Sequence, residues 1–308
     1  MTIPIFYRPE QSADPANMVG VTSPSPSKPK LVMEAYGSLG PVDVRSFEPV
    51  TRDDLARVHT PAYVDGILDG SIRNGFSTRD TVLAETFRWT VGSFVAAARY
   101  AASHGGIVHS PTSGFHHAGT STACGYCTFN GLALAARTLQ DDNVAVAILD
   151  LDMHYGNGTA ECLGLRRRDR MSWYEIEPEN VRTLHHGFFP IRQVSHAWPD
   201  GTVCIETLVD HILPDLAVRF RSSNQRAVLL YQAGADSHVD DPHGGYLTTD
   251  EMRRRDELVF NWCVDNDVAC AYNLAGGYQL DAAGAATPVV ALHLNTMMAA
   301  MAAIRQVP

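Results

Sequence analysis

The strongest constraint on the fold is an alternation, sustained through most of the chain, of short apolar runs with longer amphipathic ones. Residues 106–109, 144–150, 171–176, 227–232 and 268–273 read as strands. The intervening runs 82–103, 129–139, 204–220, 249–266 and 288–304 read as crossover helices. Thr249-Asp250-Glu251 offers a capping start with acidic residues in the first turn. Pro214 is expected to kink the 204–220 run or split it in two. Strand–helix alternation of this kind predicts an α/β fold, a single domain over residues 1–308. Its central, mostly parallel sheet would carry helices on both faces. The proline- and serine-rich segment 21–30 reads as an exposed surface connection.

Polar residues gather where the predicted strands end. His116 and His117 follow the first, Asp150 to His154 end the second, Gly234-Ala-Asp236 follows the fourth, and Gly276-Gly277-Tyr278 follows the fifth. In a doubly wound sheet that edge is where ligands bind. The densest cluster is Ile148-Leu-Asp150-Leu-Asp152-Met-His154-Tyr-Gly-Asn157-Gly. Alternation along a strand would bring Asp150, Asp152 and His154 to one face. Carboxylate oxygen and imidazole nitrogen on a short rigid segment suit a catalytic zinc or similar ion. Asp152, His154 and Asp236 make a three-ligand set with a position left open for water or substrate. His116 and His117 are candidates for general base and acid. Tyr278, presented by a turn through Gly276 and Gly277, is a candidate donor to a developing oxyanion. Each of these residues, taken singly, has a bland reading as a polar loop residue or a hydrogen-bonded structural histidine. Four clusters at four strand ends favour function.

The formal net charge of −10 argues against nonspecific nucleic-acid binding and is compatible with a cationic substrate. No apolar run reaches the roughly eighteen residues of a membrane span, and no basic stretch precedes an apolar one near residue 1. The chain therefore reads as soluble, without a membrane partner, and is expected in the cytoplasm. Its six cysteines are scattered and read as buried, reduced thiols. Cys124-Gly-Tyr-Cys127 has the spacing of a redox or zinc motif but no second pair to complete a four-thiolate site. A bridge between those two thiols would distort Gly125-Tyr126.

Five ordered motifs carry a resemblance. They are Phe115-His116-His117-Ala118, Gly125-Tyr126-Cys127-Thr-Phe-Asn130, Asp150-Leu-Asp152-Met-His154, Gly234-Ala-Asp236 with Asp241-Pro242, and Ala275-Gly276-Gly277-Tyr278. From Val58-His59 to the last helix, the chain resembles the zinc-dependent histone deacetylases and their bacterial relatives, including acetylpolyamine amidohydrolases, of the arginase–deacetylase fold. The resemblance implies that Asp152, His154 and Asp236 bind one zinc ion. It implies that His117 shuttles a proton beside His116, with Asp150 orienting His116 and Asn157 supporting His117. Tyr278 would polarise the substrate carbonyl, and Gly125, Tyr126 and Phe189 would line an acyl-lysine tunnel. The implied substrate is an acylated primary amine, either acyl-lysine or a small N-acyl amine.

The pattern departs from the family in places. Tyr155 stands where a histidine usually follows the ligand, and Phe188-Phe189-Pro190 runs on into Ile191-Arg192. Relatives use that region for a structural potassium, here expected near the backbone carbonyls of Asp150, Asp152 and His154. Lys28 and Lys30 are approximate candidates for the usual basic residue behind the pocket. Between Ile67 and Val82 only a short loop is present, which favours an open mouth; its Asp69 and Asp80 read as surface charges. An acetylpolyamine amidohydrolase is the alternative enzyme reading, and a catalytically silent acyl-lysine binding module the alternative from another class. A dimanganese ureohydrolase is disfavoured by the His116-His117 pair and Tyr278. Homo-oligomerisation stays open.

Overall fold

The structure, a computed structural model, describes residues 2–305 apart from 15–17, 19, 22, 165–180, 187–188, 195–200 and 224, with backbone alone for 181–186, 189–194 and 202–203. Among the described residues eight strands form one sheet: β1 (Pro4–Phe6), β2 (Asp43–Arg45), β3 (Ile107–Ser110), β4 (Ala145–Asp150), β5 (Val181–His186), β6 (Phe189–Val194), β7 (Ala227–Gly234) and β8 (Ala269–Ala275). Their order is β2-β1-β3-β8-β7-β4-β6-β5, and every neighbouring pair is parallel except the edge hairpin β5–β6. The helices are α1 (Lys28–Tyr36), α2 (Arg52–Leu55), α3 (Pro61–Leu68), α4 (Thr81–His104), α5 (Gly131–Asp141), α6 (Asn157–Cys162), α7 (Gly201–Thr207), α8 (Leu213–Ser222), α9 (Thr249–Asp265) and α10 (Thr287–Arg305).

The central strands are buried on both faces, which is why they read as continuous apolar runs rather than alternating ones. Successive residues nevertheless serve different cores. Val146, Ile148, Val228 and Leu230 pack under α4 and α5 with Val91, Phe94, Leu132 and Leu134. Ala147, Leu149, Leu229 and Tyr231 face α8, α9 and α10 with Leu216, Phe220, Phe260 and Met297. The two-residue period of the strand thus divides one sheet between two helical layers.

The predicted central strands and crossover helices that fall in the described residues are present with ends shifted by at most three residues. Residues 171–176 lie outside the described residues. The edge strands β1 and β2, three residues each, escaped the sequence reading because so short a run carries no period. The 204–220 run does not split at Pro214: α7 continues through a π-helical turn, Leu208–Ile212, into α8, and the wider turn accommodates the proline's missing N–H. The cap of α9 lies one residue earlier than expected, with Thr248 and Glu251 satisfying each other's backbone donors.

Segment 21–30 corrects an expectation. It is not an exposed connection: Ser23, Ser25, Ser27 and Lys28 are buried, in a 3-10 turn (Ser25–Ser27) leading into α1. The serines can be buried because they find partners. Ser23 and Ser25 bond through their hydroxyls at 3.0 Å, Ser27 Oγ donates to Pro24 O, and Ser113 Oγ donates to Ser25 O. Helix α10 is long and apolar enough to cross a membrane by composition. It packs against α9 and α1, and Thr296 sends its hydroxyl to Asp256 of α9 at 2.6 Å.

Asp80 is a cap rather than a free surface charge. Its Oδ1 accepts from Val82 N and Leu83 N at 2.8 and 3.1 Å, satisfying the first turn of α4. Asp80→Ala should cost about 1 kcal/mol of unfolding free energy, measured as a lower denaturant midpoint at unchanged slope. An unchanged midpoint would refute the capping role.

Candidate metal centre

Strand β4 ends at Asp150, so Asp152 and His154 are not placed by strand alternation, as the sequence suggested. They are placed by turns that the carboxylates themselves hold. Asp150 Oδ1 accepts from Asp152 N at 3.2 Å, and Asp152 Oδ1 accepts from His154 N at 2.9 Å. Asp236, arriving from the end of the neighbouring strand β7, accepts from Met153 N at 3.1 Å. Such side-chain-to-backbone bonds are a favoured way for aspartate to fix a tight turn. One ligand atom each from Asp152, His154 and Asp236 lies within 4.8 Å of the other two.

The three residues hold more negative charge than they can bury unaided. Burial and the charge of Asp152 push Asp236 upward, while His116 and His154 overcome the desolvation of Asp152 and hold it down. Hydrogen bonds to Asp152 and Asp236 lift His154 to about 10. His154 Nδ1 lies 2.9 Å from Asp236 Oδ2 and 3.5 Å from Asp152 Oδ1. A proton therefore sits between imidazole and carboxylates, where a divalent cation would replace it. Two carboxylate oxygens and one imidazole nitrogen suit such an ion and leave coordination positions open.

His116 and His117 meet at this centre with ring centroids 4.1 Å apart, yet their environments differ. Burial alone would lower His116, but Asp150 and Asp152 outweigh it and raise the ring to about 9. Its Nδ1 donates to Asp150 Oδ2 at 2.8 Å. His117 is lowered to about 4, by burial first and by its neighbour His116 second. Its Nδ1 donates to Asn157 Oδ1 at 2.7 Å, which leaves Nε2 as the acceptor in the neutral ring. The pair thus holds one proton donor and one proton acceptor side by side.

Tyr278 is half-buried and leaves β8 through Gly276 and Gly277, both at positive φ (51° and 80°). A Cβ at Gly276 would strike the carboxylate of Asp236, so the turn can approach the centre only without a side chain. Burial raises the phenol far above its ordinary value, with the nearby aspartates adding to the shift, so it remains an O–H donor. Asp241 Oδ2 accepts from Tyr278 N at 2.8 Å. Lys28 supports the same turn from behind. Its ammonium donates to the carbonyls of Gly276 and Gly277 and lies 5.6 Å from the Tyr278 ring centroid. Burial lowers Lys28 to about 8 against the pull of Asp236 and Asp152. Of the two lysines considered from sequence, the structure selects Lys28; Lys30 points to Glu34 at the surface.

Opposite Tyr278, Cys124 and Cys127 bond backbone to backbone in both directions (3.1 and 2.8 Å). They frame a two-residue turn in which Gly125 and Tyr126 both have positive φ, 53° and 62°. A Cβ at Gly125 would strike the His117 ring. The turn sets Tyr126 5.4 Å from the Tyr278 ring, so two aromatic faces flank the approach to the centre. Both thiols are free: Cys124 is exposed, and Cys127 is buried with its Sγ on Gly114 O. Phe189 opens β6, with its side chain outside the described residues.

Three contributors escaped the sequence reading. Gln232 on β7 donates to Asp150 Oδ1 at 2.9 Å and accepts from Phe115 N, tying the histidine loop to β4. His243 packs edge-on against Tyr278 with centroids 4.6 Å apart. Arg255 reaches from α9 to the backbone beside the centre, at Leu151 O and Gly234 O. Only Gln232 had a visible signal, a lone amide at the end of an apolar strand.

Known proteins share this architecture. The structure superposes on the solved HDA15 HD domain with TM-score 0.71 at 17% identity, covering 99% of this chain and 94% of that one. An acetylpolyamine aminohydrolase from Burkholderia pseudomallei gives 0.70 at 19%, covering 98% and 99%. At those identities the likeness defines the fold. In sequence, residues 25–294 match the histone deacetylase domain model, and the chain belongs to that deacetylase and amidohydrolase family. An uncharacterized protein of Picosynechococcus sp. is 26% identical, covering 90% of this chain and 93% of its own. A probable deacetylase of Methanothermobacter thermautotrophicus is 28% identical over 75% of this chain and 73% of its own. Chloroplastic histone deacetylase 10 of Oryza sativa subsp. japonica is 25% identical over 78% of this chain, which spans only 60% of that protein.

Because a divalent cation must displace the proton held by His154, zinc affinity of the metal-free protein should rise about tenfold per pH unit from pH 6 to 8. Calorimetry in buffers of different ionisation enthalpy should show release of about one proton per ion. A pH-independent affinity would refute this account of the trio.

Proposed function

We propose that the chain is a zinc-dependent deacylase that hydrolyses the amide of an acylated primary amine, either acyl-lysine or a small N-acyl amine. The observation that carries this reading is the meeting of the Asp152–His154–Asp236 trio with two oppositely tuned histidines at one sheet edge. Asp152, His154 and Asp236 would hold the ion, consistent with a family that depends on zinc. When bound, zinc would act as a Lewis acid toward a carbonyl and lower the pKa of water.

The protein's own groups account for the remaining steps. Neutral His117 takes the proton of the attacking water at Nε2, with Asn157 fixing its tautomer through Nδ1. Tyr278 donates its O–H to the carbonyl oxygen as negative charge develops there. Lys28 and Asp241 hold the backbone around that tyrosine. His116, kept charged by Asp150, favours negative charge at the reacting centre and lowers the proton affinity of His117. Collapse of the tetrahedral adduct breaks the C–N bond, and the leaving amine takes a proton from a histidine of the pair. Tyr126 and Gly125 would line the approach of the alkyl chain, with Gly276 and Gly277 closing the far side.

A second reading, deacetylation of an acetylated polyamine, is favoured by the net charge of −10, which suits a cationic substrate. Hydrolysis of a matched panel by metal-free and zinc-restored protein decides between them: an acetyl-lysine peptide, N-acetylated polyamines and small N-acyl amines. Zinc-dependent turnover is expected on at least one member. Zinc uptake without any turnover would instead favour a silent acyl-lysine binding module. Tyr278→Phe should keep zinc and lower kcat by about 10²–10³, roughly 3–4 kcal/mol of oxyanion stabilisation. Unchanged turnover in that variant would remove Tyr278 from the mechanism.

A further inference from the structure

Helix α9 carries three consecutive arginines with different fates. Arg253 and Arg254 lie at the surface, 3.4 and 4.0 Å from Glu257. Arg255 turns inward and is 1% exposed. Its Nε donates to Asp256 Oδ1 at 2.9 Å. Asp256 is itself held by the hydroxyls of Tyr231 on β7 and Thr296 on α10. The Nη1 of Arg255 donates to two backbone carbonyls, Gly234 O at 2.8 Å and Leu151 O at 3.3 Å.

Those carbonyls belong to the two turns that build the candidate metal centre. Leu151 lies between Asp150 and Asp152, and Gly234 lies two residues before Asp236. Ser237 Oγ adds a third tie, donating to Leu151 O at 3.1 Å. One buried nitrogen therefore bridges the ends of β4 and β7 just where each delivers a carboxylate.

Stability alone does not account for an arginine here. Burying a guanidinium–carboxylate pair is costly, and apolar replacements of similar volume are often neutral or stabilising. An apolar side chain cannot hold two carbonyls from different strands at a set separation. A guanidinium fixed through Nε on Asp256 can, by presenting one Nη to both.

We propose that Arg255 is a positioning residue for the metal centre: by bridging Leu151 O and Gly234 O it sets the spacing between the Asp152–His154 turn and Asp236. The proposal rests on reading the trio as a metal site. It makes Arg255 a determinant of zinc affinity and coordination geometry, acting without contact with ion or substrate.

The test uses the full chain, prepared metal-free. Zinc affinity is measured by competition with a chelating dye, coordination geometry by the ligand-field absorption of the cobalt-loaded protein, and folding by thermal melts of the metal-free protein. Arg255→Met should weaken zinc binding about 10–100-fold and shift the cobalt bands. Arg255→Lys keeps the charge and a donor nitrogen but lacks the Nε bond to Asp256 that orients it, so its loss should be smaller, about 3–10-fold. Arg254→Met, one residue away at the surface, should match wild type in both readouts. If Arg255→Met does not fold, Arg255→Lys carries the test. Zinc affinity and cobalt spectrum equal to wild type in either folded Arg255 variant, whatever its melting temperature, would overturn the proposal and leave a packing role. Wild type that takes up no zinc would overturn the metal-centre reading and this inference with it. Wild type that binds zinc no more tightly than Arg255→Met overturns this inference alone.

Discussion

Parallel pairing of β4 with β7 is the constraint on which the rest of the molecule depends. The two strands run in register from Ala145 opposite Ala227 to Asp150 opposite Gln232. They therefore leave the sheet together, and the residues that follow are neighbours before any side chain has acted. A one-residue slip would turn Asp150 away from Gln232 and exchange the residues facing the two helical layers. Register is set by burial, since Val146 and Ile148 belong to one core and Ala147 and Leu149 to the other. The chemistry at the edge is thus specified by hydrophobic packing below it.

Around the strand ends, charge is arranged in depth. Asp150, Asp152 and Asp236 are all nearly inaccessible to solvent. Three cationic or protonatable groups surround them from different elements: His116 from the loop after β3, Lys28 from α1, and Arg255 from α9. Each is committed to a carboxylate or backbone carbonyl beside the centre, which leaves the trio itself available to a cation. This resembles the usual construction of metal sites, in which the ligands' partners matter nearly as much as the ligands.

Much of this was legible in the sequence, for a physical reason. Strands buried on both faces and helices packed on one face leave periodic patterns, so β3, β4, β7, β8 and the long helices could be read directly. Residues at strand ends could be grouped because a parallel sheet puts all those ends on one side. Buried polar residues were harder to place, because their burial depends on partners that the linear pattern does not display. The serines between Ser23 and Ser27 read as a surface loop, yet bonds to one another, to Pro24 O and from Ser113 let them be buried. Arg255 was hidden inside a run of charge, and Lys28 inside a proline-rich segment. Asp152 and His154 come together through turn bonds rather than the strand pleating that the sequence suggests.

The bond from Lys28 to the carbonyls before Tyr278 joins residues 248 and 249 positions apart. Contacts of such separation carry a large loop-closure entropy and tend to form after local ones. The candidate ligand trio, by contrast, spans only the stretch from Asp152 to Asp236 and rests on one pair of adjacent strands. The support of the tyrosine turn thus depends on distant parts of the chain finding each other, whereas the trio depends on two adjacent strands.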